Sequence, residues 1–429
     1  MSYVRVSLCL GVISALALAQ EPAQRQLLTV DDLIQRAVER NRDVSALRMR
    51  VAEAQGLLRQ AGVRPVPTVE FSGSSGRPLA TKGEEEFSTG YSYPIETGGK
   101  RQKRVGVAEK DVQLAEAELA ERIRQVTAEI RTRFIDAVAE QKKLDAIDGL
   151  LQVNREALRL TQARVEQGDV APLERDLLAV EVSRAEAQRS PVLGRLTAAL
   201  LDLRRIASLD PSEPLAPREL PLVPVALRLE DLLERALKTR PDLLIARLLE
   251  EQGSASIDLA EAEGKPNLTL AARYARRNSR FDNQFGFAPS GALTQLFDRD
   301  DILTVGISIP LLNRKRNLGN IEAAEARFAG ARLRRQYLEG AIPLEVMAAW
   351  ERYMAARRAV EIYDRGVVEQ SEKNLAVVRG AYNLGQLRIL DVLNEQRRLI
   401  DTQLAAIDAR AEEARALTDL VRTVGGTLP

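Results

Sequence analysis

The chain has 429 residues, 29% of them charged and only 4% aromatic, with a formal net charge of +1 and no histidine. The even balance of charge excludes a domain-wide basic footprint for nucleic acid. The missing histidine excludes imidazole acid–base chemistry, Ser–His triads and the commonest zinc ligand together.

Residues 1–19 read as an export signal. Arg5 supplies a weak positive start, Val6 to Leu18 an apolar core, and Ala17-Leu18-Ala19 a small-residue cleavage site before Gln20. Cys9 lies too early in this segment for a lipoprotein signal, and a chain cleaved after Ala19 carries no cysteine and so no disulfide. No later segment reaches the length of an apolar transmembrane helix, so any membrane span has to be built from strands.

Thr29-Val30-Asp31-Asp32 opens the first helix as a capping-box variant, and an apolar stripe from Leu33 to Val51 carries that helix to about Ala61. Gly62, Pro65 and Pro67 stop it. The same text then returns. Leu28-Thr29-Val30-Asp31-Asp32-Leu33-Ile34-Gln35-Arg36-Ala37 reads against Leu227-Arg228-Leu229-Glu230-Asp231-Leu232-Leu233-Glu234-Arg235-Ala236, and the offset still holds at Asp43 with Asp242 and at Pro67 with Pro266. Pro94 answers Pro310, and Gly168 answers Gly385. The chain therefore divides into a first structural repeat over 20–209, a Pro-rich linker over 210–226 and a second repeat over 227–429.

Each repeat holds two strands, expected at 67–75 and 87–94 and again at 267–275 and 302–310. Phe87, Thr89, Tyr91 and Tyr93 alternate with Ser88, Gly90 and Ser92; Leu303, Val305, Ile307 and Ile309 alternate with Thr304, Gly306 and Ser308. An apolar row beside a small polar row is the pattern of a lipid-facing barrel strand, and a half-buried strand of a soluble sheet shows the same alternation. The intervening stretches, Gly76 to Glu86 and Arg276 to Asp301, are polar, contain glycine and read as loops.

Long hairpins follow, over 98–208 and 313–423. A helix from Gly98 to Glu166 at a rise of 1.5 Å per residue spans about 100 Å. Its seam, Val112, Ala115, Leu119, Ile123, Val126, Ile130 and Phe134, keeps an eleven-residue period that favours nearly straight packing. Basic clusters sit where strands hand over to rods: Lys100, Arg101, Lys103 and Arg104 in the first repeat, Arg314, Lys315 and Arg316 in the second. Anionic headgroups and intersubunit ion pairs are equally good partners for them. No nucleophile–base pair, phosphate-cradling loop or metal-spaced cluster occurs, so neither an enzyme nor a cofactor is expected.

The duplicated helix–strand–strand–helix–helix order resembles the TolC family of outer-membrane efflux channels over about Gln20 to Thr427. The resemblance rests on Tyr93-Pro94-Ile95-Glu96-Thr97-Gly98-Gly99-Lys100-Arg101 and Ser308-Ile309-Pro310-Leu311-Leu312-Asn313-Arg314-Lys315-Arg316, and on the tips Ala163-Arg164-Val165-Glu166-Gln167-Gly168 and Gly380-Ala381-Tyr382-Asn383-Leu384-Gly385. It implies a mainly α chain with a membrane β-barrel. In that fold a homotrimer closes one twelve-stranded barrel in the outer membrane, continued by a periplasmic α-helical barrel. It also implies a passive conduit that docks on a periplasmic adaptor coupled to an inner-membrane pump of the proton-driven RND class, with outer-membrane lipid as the remaining partner. The adaptor-facing tips would be Gln167, Gly168, Asp169, Leu384, Gly385 and Gln386. The gate would use Asp391, with Tyr382 and Glu174 pairing across neighbouring tips. Asn394 replaces the second acidic gate residue, and Arg388 is displaced by one position from the gate arginine, where Leu387 stands. Gly98-Gly99-Lys100-Arg101 looks most like the CzcC-type branch of heavy-metal exporters. Drug-efflux and type I secretion channels share the architecture. A soluble periplasmic adaptor, with its one hairpin, fits the two hairpins and four strands less well.

Overall fold

The computed structural model describes residues 29–76, 85–210, 213, 215, 228–310 and 317–426. The export segment with Cys9, most of the linker, and Arg314, Lys315 and Arg316 lie outside these residues.

Thr29 caps α1 (Val30–Arg40) through a reciprocal pair of bonds with Asp32. The stripe that reads as one helix is broken at Asn41, where α2 (Arg42–Ala61) begins. Asn41 accepts from the backbone N–H of Asp43 and Val44 and donates to the Ile206 carbonyl at 3.0 Å, so the kink is both capped and tied to the core. Strands β1 (Thr68–Ser75) and β2 (Glu85–Ile95) lead into α3 (Lys100–Glu166) and α4 (Pro172–Ala207).

The second half repeats this order. Helices α5 (Leu229–Thr239) and α6 (Pro241–Glu263) are broken at Arg240, the place of Asn41, with Pro241 starting the new helix. Strands β3 (Leu268–Phe287) and β4 (Leu293–Ser308) follow, then α7 (Leu318–Ile362), a π-helical turn at Tyr363–Val367, α8 (Val368–Asn383) and α9 (Ile389–Val424).

Each repeat has its own core. Leu33, Ala37 and Val44 pack with Val126, Ile130, Phe134 and Leu203; Leu232, Ala236 and Leu243 pack with Ile342, Val346 and Leu420. Leu33 and Leu232, and Ala37 and Ala236, are counterparts in the duplicated text, and all four are essentially fully buried. Ile135 and Ala139 of α3 close on Ala411 and Ala414 of α9 and join the repeats. The small side chains of this seam let the two helices lie close.

The strands form one antiparallel sheet in the order β1-β2-β3-β4, with β2 and β3 joining the repeats. The register sets Val69, Tyr91, Ala272 and Val305 in one row and Phe71, Thr89, Tyr274 and Leu303 in the next, all on one face. Ser72, Ser88 and Ala275 fall on the other. The second hairpin corrects the loop expected over Arg276 to Asp301: there β3 and β4 extend to Phe287 and back from Leu293. Ladder hydrogen bonds need no apolar side chains, and opposite charges hold this extension. Arg276 reaches Asp301 at 2.7 Å, and Arg277 reaches Glu86 at 3.0 Å.

Candidate functional site

Two regions concentrate the chain's chemistry: the hairpin tips and the joint between strands and rods. At the first tip, α3 ends on Gln167 and the chain turns at Gly168, whose φ is +82°. Gly168 N–H donates to the Val165 carbonyl at 3.0 Å and Asp169 N–H to the Arg164 carbonyl at 2.9 Å. At the second tip Gly385 has φ +73°, its N–H donates to the Tyr382 carbonyl at 2.9 Å, and Gln386 N–H donates to the Ala381 carbonyl at 2.9 Å. Both are the same left-handed helix stop, which glycine enters without the Cβ penalty. Gln167, Gly168, Asp169, Leu384, Gly385 and Gln386 are all exposed.

Behind the tips, two polar contacts tie the hairpin of the second repeat to that of the first. The Tyr382 hydroxyl donates to Glu174 Oε2 at 2.7 Å, joining α8 to α4 within one chain. Burial, then the hydrogen bond to Glu174, raises the Tyr382 pKa, so the phenol stays a neutral donor. Deeper in, Arg397 of α9 donates to both carboxylate oxygens of Glu181 of α4, Nε to Oε2 at 3.0 Å. Only 8% of the Glu181 side chain is exposed. This pair was not evident from the sequence. Its partners lie in different repeats, and no local motif marks either one.

Asp391 is exposed at the start of α9 and accepts from the Arg388 backbone N–H at 3.0 Å. Its carboxylate therefore caps the helix. Asn394 is exposed on the same side of α9, and Arg388 is exposed beside the cap. In a single chain these three are brought near one another but make no side-chain network with Tyr382 and Glu174 among the bonds described.

At the joint, Lys100, Lys103 and Arg104 of the first repeat's basic cluster all find partners within the chain. Lys100 is 8% exposed, and its ammonium donates to the Lys265 carbonyl at 2.5 Å and to Asn267 at 2.7 Å. Arg104 reaches Glu96 at 2.8 Å and the Ala61 carbonyl at 3.1 Å. The hydrogen bond from Arg104 holds the Glu96 carboxyl below its usual range. Lys103 pairs with Asp258 at 3.1 Å. Arg101 alone of the four is exposed. Thr97 donates to the Pro266 carbonyl, and Gly98 at φ +71° lies so close to Lys265 that an added Cβ would meet its Cδ at 2.7 Å. Residues 96–104 thus form the lock between the two repeats.

Beyond the joint, Val69, Phe71, Leu303, Val305 and Ile307 stand exposed in apolar rows, Val305 at 74%. Water gives such a surface no stable cover. A bilayer does.

The model of the family "Outer membrane efflux protein" matches residues 33–208 and 232–426, one block in each repeat. Among curated proteins, the chain is similar to the cobalt-zinc-cadmium resistance protein CzcC of Cupriavidus metallidurans, 22% identical over 93% of this chain and 90% of the relative. It is also similar to the pyoverdine export outer membrane protein OpmQ of Pseudomonas putida, 26% identical over 92% of this chain and 86% of the relative. Its fold matches the CmeC outer membrane channel of Campylobacter jejuni with a TM-score of 0.74 at 14% identity, over 99% of this chain and 94% of that one. The chain belongs to the outer membrane efflux protein family, and it is a TolC-type, non-enzymatic channel of the outer membrane with its helical part in the periplasm.

Proposed function

We propose that the chain is the outer component of a tripartite efflux system. In this reading it is a passive homotrimeric conduit that takes heavy-metal cations from a periplasmic adaptor and an RND-class inner-membrane pump to the exterior. The observation that carries the conduit is the exposed four-stranded sheet with an apolar face and, among the described residues, no further strand beyond β1 or β4. Four strands cannot close a barrel, and open edges in hydrocarbon leave backbone groups without partners at several kcal/mol each. Three copies supply twelve strands.

The tips Gln167-Gly168-Asp169 and Leu384-Gly385-Gln386 dock the adaptor. Asp391 from three copies makes an acidic ring at the periplasmic constriction, which favours cations and resists closure by mutual repulsion. Tyr382–Glu174 and Arg397–Glu181 hold the hairpin of the second repeat against that of the first. With no histidine in the chain, the tunnel has no imidazole ligand, so metal selection belongs upstream, in the adaptor and pump.

Likeness to CzcC supports metal cargo. Likeness to a pyoverdine exporter at higher identity favours the second reading, an organic cargo passing through the same conduit. Growth of a deletion strain across zinc, cadmium, cobalt, copper and a panel of organic toxicants decides between them. Metal hypersensitivity restored by the gene on a plasmid supports the first reading. Unchanged metal tolerance with new sensitivity to organic compounds overturns it.

A further inference from the structure

The apolar face of the sheet changes character partway along β3 and β4. Its rows run Leu270 with Ile307, Ala272 with Val305 and Tyr274 with Leu303, then Arg276 with Asp301, Asn278 with Arg299 and Arg280 with Phe297. Alternation along each strand keeps all six rows on one face. We propose that Arg276, Arg280 and Arg299 bind the phosphate groups of a phosphorylated glycolipid in the outer leaflet, with Phe297 and the apolar residues beyond it against the sugar rings. The site requires only that the sheet lie in the outer membrane, whatever the conduit carries.

The arginines stand at the height of a headgroup. The apolar face begins beside the joint, where Ile95 is opposite Leu268, and Arg276 follows eight residues after Leu268. At about 3.4 Å per residue and a tilt of about 40°, that is about 27 Å of strand and about 20 Å of height. The apolar band of an outer-membrane barrel is about 25 Å tall. The rods hold the near end of the sheet on the periplasmic side, so the arginine rows meet the outer leaflet. Tyr274 closes the apolar rows just below them and Phe87 stands beside Arg276, the place of an interfacial aromatic girdle.

Charge is divided between the two faces. Glu85 and Asp301 are the acids beside these arginines, whereas Glu86, Asp298 and Asp300 fall on the opposite face with Arg277. Asp301 takes up Arg276 at 2.7 Å. Arg299 donates to Asn278 at 3.3 Å, and Arg280 has no side-chain hydrogen bond or ion pair among the described residues. Arg280 and Arg299 lie on a diagonal of adjacent rows, about 7–8 Å apart, and their planar forks suit phosphate oxygens. Beyond them the face turns apolar again. β4 runs unbroken from Leu293 to Ser308, so Phe297, Phe285 opposite Gln295, and Phe287 opposite Leu293 stay on the arginine side. Four of the chain's eight phenylalanines lie within 281–297, and Phe287 is 80% exposed. Such a patch above the phosphates needs a cover. Pyranose rings supply one, because their C–H bonds meet the negative face of an aromatic ring. A phospholipid has no such rings, which selects the glycolipid.

The test titrates the full chain, purified in detergent, with diphosphoryl lipid A, the same lipid stripped of its phosphates, and phosphatidylglycerol. Binding is read by microscale thermophoresis. The wild type should bind diphosphoryl lipid A at least about tenfold tighter than either other probe, since one arginine near an anionic headgroup is worth about fivefold. Arg280→Gln/Arg299→Gln should erase that preference, and Arg280→Lys/Arg299→Lys should keep most of it. Phe297→Ala should weaken both forms of lipid A and leave their ratio unchanged. Arg101→Gln, which removes an exposed cation at the periplasmic end, should bind as the wild type does. Equal affinity of the wild type for the two forms of lipid A overturns the phosphate site. So does a preference that survives Arg280→Gln/Arg299→Gln, or one that Arg101→Gln erases equally well. Phosphatidylglycerol bound as tightly as diphosphoryl lipid A overturns the glycolipid.

Discussion

Tyr382 and Glu174, 208 residues apart in the chain, meet at 2.7 Å behind the two hairpin tips. The bond couples the hairpin carrying the proposed gate to the hairpin of the first repeat, so removing it should loosen the gate without unfolding the rod. Tyr382→Phe keeps the ring and deletes the donor, a loss of about 1 kcal/mol. Single-channel recording in planar bilayers should show longer or larger openings. Unchanged conductance with an unchanged melting temperature would mean that the bond holds nothing shut.

Arg397 and Glu181 make a stronger tie, because the carboxylate is buried. Arg397→Ala leaves that charge without its bidentate partner, which should cost roughly 2 kcal/mol. The double variant with Glu181→Ala should recover part of the loss, since neither charge is then stranded. A double-mutant cycle on thermal unfolding of the detergent-solubilised protein measures the coupling directly.

Asp391 has two roles to separate, helix cap and acidic ring. Asp391→Asn keeps a capping oxygen and removes the charge, whereas Asp391→Ala removes both, with a cap loss of about 1 kcal/mol. Both substitutions should weaken divalent-cation block in planar bilayers, and only Asp391→Ala should lower the melting temperature. Equal block in the wild type and both variants would take Asp391 out of the constriction.

At the joint, Lys100→Met should strand the Lys265 carbonyl and the Asn267 side chain, at about 1–3 kcal/mol. Gly98→Ala adds backbone strain at positive φ, about 1–2 kcal/mol, and a clash with Lys265. Reduced yields of assembled protein in outer membranes would follow for both. Arg101→Gln, at the exposed position, should leave assembly intact.

Near the π-helical turn, Glu413 is raised above its usual 4.5 by burial first, reinforced by Asp364 and Glu361 and opposed by Arg357. A carboxyl with a raised folded pKa binds more protons folded than unfolded between the two values. Its stabilising effect is complete below about 4.5 and disappears as pH rises through the folded value. Glu413→Gln should therefore melt higher than the wild type at pH 7, and the two should converge as the pH falls below 4.5. A lower melting temperature for the variant at pH 7 would contradict this.

The sequence carries much of this architecture on its face. The alternation of Phe87 to Tyr93 and of Leu303 to Ile309 marks strands because sheet side chains point to alternate faces, and the doubled text around Leu33 and Leu232 foreshadows the two matching cores. The break at Asn41 was hidden because the apolar stripe continues in phase across it, and only the bond to Ile206 shows why the helix bends there. The extension of β3 and β4 was hidden because charged pairs such as Arg276 and Asp301 erase the apolar alternation that marks a strand. Lys100 read as an outward cation, since nothing local tells that the Lys265 carbonyl lies within its reach. Long-range polar pairs, Arg397 with Glu181 above all, are products of the fold and have no sequence signature.

Purified protein in a planar bilayer gives the most direct test of the conduit. The account predicts discrete, uniform conductance steps that favour cations, with divalent block that weakens in Asp391→Asn. Protein that inserts into the bilayer and produces no ion-conducting steps under any polarity would contradict it.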